Sequence, residues 1–323
     1  MEEKILNLEV ITTKWVAESI KEIVLRDING QVLPQFSAGA HLRFQLALTS
    51  GVVERCYSLL EHQQDPYNYR IAVSRAQVSS GGSAYMCDEV REGSHLQALP
   101  PKNDFGLATQ ADHHLLIAGG IGITPIYAMV KDLQEKGASM QLHYAARTPQ
   151  AMAYREELEA TLQDNAHFYF DNGDPARGIP LETLLSAVSA NTHVYVCGPK
   201  PLIDSVRILA ISKGLPESNI HFESFGGVLG ANIDQKDVQV YLAKSEKTLI
   251  LQPNESVLDM LLRNGYDLIY DCKRGECGVC AVPVIDGEVN HQDYVLGQAQ
   301  KIDEGFMCIC VSRPATKRLV LDL

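Results

Sequence analysis

Cys272, Cys277 and Cys280 stand in a C-x4-C-x2-C array, answered further along by Cys308-Ile309-Cys310. That spacing wraps a plant-type [2Fe–2S] cluster, in which two sulfide-bridged irons need four thiolates, three of them from one tight loop. Gly275 and Gly278 let the loop curl so that its N–H groups approach the cluster sulfurs with no Cβ in the way. A structural zinc site prefers two C-x2-C halves, and a disulfide framework suits small secreted chains rather than 323 residues. The array predicts a carrier of single electrons.

The fourth ligand is Cys308 or Cys310, since in a strand both thiols would point to the same face. Cys310 is assigned, because the other would sit deeper along the strand, where a small apolar thiol is an ordinary core residue. The chain has eight cysteines, so the cluster leaves Cys56, Cys87, Cys197 and one member of the pair as isolated thiols, with no disulfide logic.

A chain of this length has room for two or three domains, and 46% hydrophobic with 21% charged residues is ordinary for a soluble, well-packed protein. A net charge of −12 argues against nucleic acid or an anionic membrane as partner, and suits a redox protein that docks on a basic patch. Met1-Glu2-Glu3-Lys4-Ile5-Leu6 carries no secretory signal, so the chain reads as cytoplasmic. The most apolar run, Leu115 to Val130, falls short of a membrane span and contains Gly119, Gly120, Gly122, Thr124 and Pro125; it reads as strand, turn and helix start.

The expected architecture is multi-domain. From about Leu6 to Asn103, short runs such as Ala40 to Leu46 and Tyr69 to Val73 alternate apolar and polar between Gly, Pro and Asn turns, the pattern of an antiparallel β-barrel. A helix-like stretch covers Ser83 to Val90. From His113, apolar strands alternate with helical segments: His114 to Ala118 then Pro125 to Glu135, Met140 to Ala145 then Tyr154 to Leu162, and His193 to Cys197 then Pro201 to Ser212. That order makes an α/β domain with a parallel sheet. Phe225 to Asn232 is glycine-rich and aperiodic, a linker before strands resume at Val238. The predicted domains are 1–106 (barrel), 107–226 (nucleotide-binding), a linker at 227–237, and an α+β plant-type ferredoxin domain at 238–323.

Arg55-Cys56-Tyr57-Ser58 ends a barrel strand, and Ser80-Gly81-Gly82-Ser83 precedes the helix-like stretch. A strand Tyr-Ser can pack and hydrogen-bond a flavin ring, while glycines and a serine at a helix start offer donors to a phosphate. Each motif is weak alone, since Gly-Gly-Ser is commonly a plain turn. Gly119-Gly120-Ile121-Gly122-Ile123-Thr124-Pro125 follows an apolar strand and opens a helix, where glycines permit a pyrophosphate close to the backbone, although the fingerprint is not G-x-G-x-x-G. Cys197-Gly198-Pro199 ends a second strand of the same sheet, which sets Cys197 near the nicotinamide. Arg147 and Asp171 follow further strand ends, and the acidic Asp171-Asn172-Gly173-Asp174 disfavours a 2′-phosphate, hence NADH over NADPH.

Taken in order, Arg55-x-Tyr57-Ser58, Gly81-Gly82-Ser83, Gly119 to Pro125, Cys197-Gly198-Pro199, His221-Phe222-Glu223-Ser224-Phe225 and the cysteine array resemble the phthalate dioxygenase reductase family over essentially the whole chain. The resemblance implies an FMN barrel, an NADH domain and a C-terminal ferredoxin domain. By similarity, Arg55, Tyr57, Ser58, Val73 and Ser74 hold FMN, Gly82 and Ser83 its phosphate, and Phe225 stacks on the flavin where nicotinamide must enter. The ending Cys310-Val311-Ser312-Arg313 is similar to the family's and supports Cys310 as ligand. One departure is Gln77-Val78-Ser79-Ser80, where relatives often carry an Arg; the phosphate grip is then either weaker or supplied by Arg55 or Arg75.

NADH gives up two electrons as hydride and a [2Fe–2S] cluster accepts one, so a flavin must stand between them. The resemblance implies a Rieske-type oxygenase component as protein acceptor; a separate ferredoxin, a non-Rieske monooxygenase, or a non-catalytic sensor role are the alternatives.

Overall fold

Six strands carry out the alternation of the N-terminal region: β1 (Leu6–Ala17), β2 (Ile20–Asp27), β3 (His41–Leu48), β4 (Gly51–Ser58), β5 (Asn68–Ser74) and β6 (His95–Ala98). They pair antiparallel in the order β4-β3-β6-β1-β2-β5, and a bridge between Leu59 and Ile71 joins the ends of that order into a barrel. Leu8, Ile23, Leu42, Phe44 and Ile71 point into its core. The helix-like stretch is a short α1 (Gly82–Ala84) running into a π-helical turn at Tyr85–Glu89, which buries Met86 and Cys87 in that core. The computed structural model describes residues 5–49, 51–60, 65–76, 81–225, 238–253 and 255–323; Gln77 to Ser80 and the linker at 227–237 lie outside them.

Strand and helix then alternate: β7 (His113–Gly119), α2 (Ile123–Glu135), β8 (Met140–Ala146), α3 (Arg155–Leu162), β9 (Ala166–Phe170), α4 (Leu181–Ser186), β10 (Thr192–Cys197), α5 (Lys200–Ser212) and β11 (Ile220–Glu223). The five strands form a parallel sheet in the order β11-β10-β7-β8-β9. β7 is central and buried along nearly its whole length, as a parallel strand covered on both faces must be. Chain order runs outward from β7 through β8 in one direction and restarts at β10 in the other, so the switch point lies between β7 and β10. Open α/β sheets bind ligands at the carboxyl ends of the strands at such a point.

Barrel and sheet share one core: Ile20, Leu60, Ala72 and Phe105 pack in the cluster that holds Ile126, Tyr144 and Tyr195. Glu22, its side chain 3% exposed, lies between Arg70 of β5 at 2.8 Å, Lys14 of β1 at 3.1 Å and the Tyr154 hydroxyl at 3.0 Å. Residues Met1–Glu223 accordingly make a single compact unit.

The second unit, Ser224–Leu323, holds β12 (Val238–Leu242), β13 (Lys247–Leu251), α6 (Val257–Arg263), β14 (Ala281–Asp286), β15 (Val289–Asn290), α7 (Gln298–Ile302), β16 (Phe306–Cys308), β17 (Arg313–Pro314) and β18 (Arg318–Leu321). Its main sheet runs β13-β12-β18-β14-β16, with β15 and β17 as a separate ribbon. Ser256 caps α6 by accepting the Asp259 N–H at 3.0 Å. The expectation that Cys308 and Cys310 share a strand face is corrected here: β16 stops at Cys308, and the Ser312 N–H reaches back to the Cys308 carbonyl at 3.0 Å, so Cys310 sits in a tight turn. No helix among the described residues is long and apolar enough to cross a membrane.

Candidate functional site

The switch point is where the sheet's glycines gather. A Cβ on Gly122 would lie 2.2 Å from the Cys197 carbonyl oxygen and 2.7 Å from the Gly198 nitrogen, and one on Gly198 would lie 3.0 Å from the Gly119 Cα. The β7–α2 and β10–α5 turns therefore touch backbone to backbone, a close approach that only glycine permits. Gly120, at φ +56°, has nothing within 4 Å of its would-be Cβ. Thr124 and Pro125 lie buried in the first turn of α2, and the Thr124 hydroxyl donates to the Ile121 carbonyl at 3.0 Å. The Cys197 side chain is fully buried, and Pro199 stands exposed ahead of α5.

Further along the same edge, the loops after β8 and β9 are joined: the Asn172 N–H donates to the Arg147 carbonyl at 3.0 Å and the Asp171 N–H to that of Ala146 at 3.2 Å. Arg147 and Asp171 are thus neighbours. Asp171 also accepts the Gly173 N–H at 2.7 Å and Asp174 the Ala176 N–H at 3.1 Å, so both acids close turns.

On the barrel, Arg55 and Gly82 come together from distant parts of the sequence: a Cβ on Gly82 would fall 2.8 Å from Arg55 Nε. Gly81, at φ +97°, starts α1 in the left-handed conformation, and Ser83 Oγ accepts the Ala76 N–H at 3.3 Å. Arg75 is paired with Asp88 at 2.8 Å, and Arg55, which donates to the Glu54 carbonyl at 2.6 Å, packs against the glycine turn. The Tyr57 and Ser58 hydroxyls at the end of β4 are buried with no hydrogen-bond partner among the described residues, and burial pushes the Tyr57 phenol above its ordinary range. Two orphaned hydroxyls beside a guanidinium and a helix start fit a polar ring carrying a phosphate. Ser74 is half-buried on β5, while Val73 points into the barrel core.

In the second unit the thiols face one another in two groups. Cys277 has Cys272 for a neighbour, while Cys280 has Cys308 and Cys310, thiols that hold its own below the ordinary thiol range. Two groups, rather than one shell, suit two bridged irons. The Arg274 N–H donates to Cys272 Sγ at 3.3 Å, and the Gly275 N–H is aimed at Cys310. Gly275, at φ +75°, has no room for a side chain: its Cβ would meet Val311 Cγ2 at 2.6 Å and the Asp293 Cα at 3.0 Å. Cys277 is exposed beside the exposed Val279, whereas Cys280, Cys308 and Cys310 are buried. The sequence reading missed Glu276, which accepts the Ser224 N–H and lies 3.4 Å from the buried Arg274. An Arg-Gly-Glu between ligand cysteines was its only trace. Phe225 is 40% exposed at the end of its described segment.

Comparison with known proteins agrees with this layout. Residues 116–207 match the oxidoreductase NAD-binding domain, and residues 240–315 the 2Fe-2S iron-sulfur cluster binding domain. Tetrachlorobenzoquinone reductase of Sphingobium chlorophenolicum is 36% identical over 322 residues, 98% of each chain. The phthalate 4,5-dioxygenase oxygenase reductase subunit of Pseudomonas putida is 36% identical over 318 residues, 98% of this chain and 96% of that one. The solved structure of a phthalate dioxygenase reductase, described as modular and as transferring electrons from pyridine nucleotides to [2Fe–2S], superposes with a TM-score of 0.82 at 33% identity, covering 100% of this chain and 99% of its own.

Proposed function

This chain belongs to the phthalate dioxygenase reductase family, and from that membership and the geometry above we propose that it passes electrons from NADH through FMN and a [2Fe–2S] cluster to a Rieske-type oxygenase component in the cytoplasm. Bound together, these groups supply hydride transfer followed by single-electron transfer. The protein's part is to bind and position.

Gly119, Gly120, Gly122, Thr124, Pro125, Gly198 and Pro199 form the turn pair that lets a pyrophosphate approach the backbone, with Arg147 and Asp171 at the adenosine end. Cys197 acts from within the sheet, its carbonyl setting the gap that Gly122 fills. Arg55, Gly81, Gly82 and Ser83 take the flavin phosphate, Tyr57, Ser58, Val73 and Ser74 the flavin ring, and Phe225 shields that ring. Cys272, Cys277, Cys280 and Cys310 ligate the cluster, with Cys277 on the side from which electrons leave. The functional domains are 1–106, 107–226 and 238–323, joined by a linker at 227–237.

The observation that carries the reading is the loop of Cys272, Cys277 and Cys280 closing at Gly275 against Val311, beside Cys310, within the residues that match the 2Fe-2S domain. A visible spectrum of the purified chain with its flavin identified by mass tests it: FMN and cluster absorption together support it, and a colourless protein refutes it. The likeness to a tetrachlorobenzoquinone reductase favours a second reading, a substituted benzoquinone as acceptor. NADH oxidation with that quinone, set against NADH-dependent turnover of a Rieske oxygenase, separates the two.

A further inference from the structure

Among the described acids of the second unit Asp293 is the most thoroughly enclosed, its side chain 0% exposed, yet it belongs to none of the motifs above. Its Oδ2 accepts the Leu296 N–H at 3.0 Å and lies 3.1 Å from Lys301 Nζ of α7. Its Oδ1 accepts the Ser312 hydroxyl at 3.2 Å and lies 3.6 Å from His291 Nδ1. Lys301 also donates to the Asp293 carbonyl at 3.3 Å. A buried carboxylate costs several kcal/mol unless charge and hydrogen bonds compensate it, and here they come from separate segments.

Through Ser312 the carboxylate holds one half of the thiol cage, and through its backbone the same residue meets the other. Tyr294, next in sequence, donates its N–H to the Gly275 carbonyl at 2.9 Å, and the Asp293 backbone presses on Gly275 where a Cβ would stand. On the other side Ser312 holds the turn after β16, donating its N–H to Cys308 and accepting the Gln292 N–H at 3.2 Å. From this juxtaposition we infer that Asp293 is a positioning residue: it locks the loop of Cys272, Cys277 and Cys280 against the turn of Cys308 and Cys310. With Lys301 it also sets the local charge that tunes the cluster's reduction potential. The inference rests on the cluster reading above.

Because the potential responds to nearby charge, the two partners have opposite effects. Asp293→Asn removes a negative charge beside a retained ammonium and eases reduction; Lys301→Met leaves the carboxylate uncompensated and opposes it. Full-length holoprotein is followed by redox titration, by the half-life of its visible absorption under EDTA, and by thermal melting. Asp293→Asn should shorten the cluster half-life about tenfold, the low end for lost outer-shell partners, and raise the potential. Lys301→Met should lower it; a tenfold change in the one-electron equilibrium is ~59 mV. Ser312→Ala, which cuts the hydroxyl's ties to Asp293 and Gln292 and no charge, should shorten the half-life at unchanged potential, and it carries the test if Asp293→Asn does not fold. Wild-type half-lives in Asp293→Asn and Ser312→Ala, or potential shifts of the same sign in Asp293→Asn and Lys301→Met, would overturn the inference. A wild-type chain without cluster absorption would instead strike at the cluster reading itself.

Discussion

Replacing Gly122 by Ala isolates the backbone contact at the nucleotide switch point. The new Cβ would stand 2.2 Å from the Cys197 carbonyl oxygen and 2.4 Å from its carbon. A comfortable carbon–oxygen approach is about 3.3 Å, so the turns must part by about 1 Å. Overpacking a rigid site costs about 1–3 kcal/mol, and with backbone on both sides the upper end applies. A misplacement of about 1 Å in a substrate-positioning turn lowers rate about 100-fold, so kcat/KM for NADH in the ferricyanide assay should fall by that factor, ~2.7 kcal/mol. Gly137→Ala, just past α2 and outside the site, is the matched control: with nothing within 4 Å, it bears only its left-handed φ of +62°, a cost of about 1–2 kcal/mol to folding. Paired kinetics and melts of the two variants give the answer. Equal losses, or a greater loss at Gly137, would show that the Gly122 contact does not set the nucleotide geometry.

Serine at Cys272, Cys277 or Cys280 should abolish cytochrome c reduction while sparing much of the NADH–ferricyanide activity; equal loss of both in flavin-loaded variants would place the cluster elsewhere in the sequence of transfers. Cys310→Ser should lose cluster absorption and Cys308→Ser keep it, and the reverse result would move the fourth ligand to the end of β16. NADH should outperform NADPH in kcat/KM by at least about tenfold, and Asp171→Asn, which keeps an acceptor for the Gly173 N–H, should narrow that gap; an unchanged ratio would clear Asp171 of a part in selectivity. Burial pushes the Glu22 carboxyl up, but Arg70, with Lys14 and Tyr154, outweighs it and holds the carboxyl below its ordinary value. Its stabilisation is therefore complete above the ordinary carboxylate range and lost as pH falls through the depressed value, so Glu22→Gln should cost about 3 kcal/mol near neutrality and flatten the acid limb of the melting profile.

The cysteine array was legible because iron ligation dictates both residue type and spacing. The strand and helix alternation was legible because buried parallel strands and amphipathic helices write different periods: β7 and α2, β8 and α3, and β10 and α5 fall within a few residues of where the pattern put them. What escaped was set by tertiary contact. Phe306-Met307-Cys308-Ile309-Cys310-Val311 reads as one apolar strand, and the return of the Val311 and Ser312 N–H groups to the Cys308 carbonyl breaks it. Asn290-His291-Gln292-Asp293 reads as a polar loop, and nothing in its composition shows Asp293 turning inward. The core shared by barrel and sheet joins residues as distant in sequence as Ile20 and Tyr195, beyond the reach of any local pattern.

The nucleotide turns and the thiol cage use one device. At Gly122 and at Gly275 the main chain comes so close to a neighbouring segment that a methyl group would displace it. Main-chain atoms fixed by strand pairing and helix starts move less than side chains, so donors held this way keep their aim without any one side chain's rotamer. Electron transfer asks for that kind of site, since it needs no acid, base or nucleophile and depends on where the redox groups are held and on the charges around them. The titratable groups follow the same division. Glu22 and Asp293 are buried and fully engaged, one where the barrel meets the nucleotide sheet and the other where the two halves of the cage meet. Each residue stands where two substructures meet: Glu22 pairs with Arg70 and Lys14 of the barrel and takes the Tyr154 hydroxyl from the nucleotide domain, while Asp293 ties Ser312 through its carboxylate and meets Gly275 through its backbone.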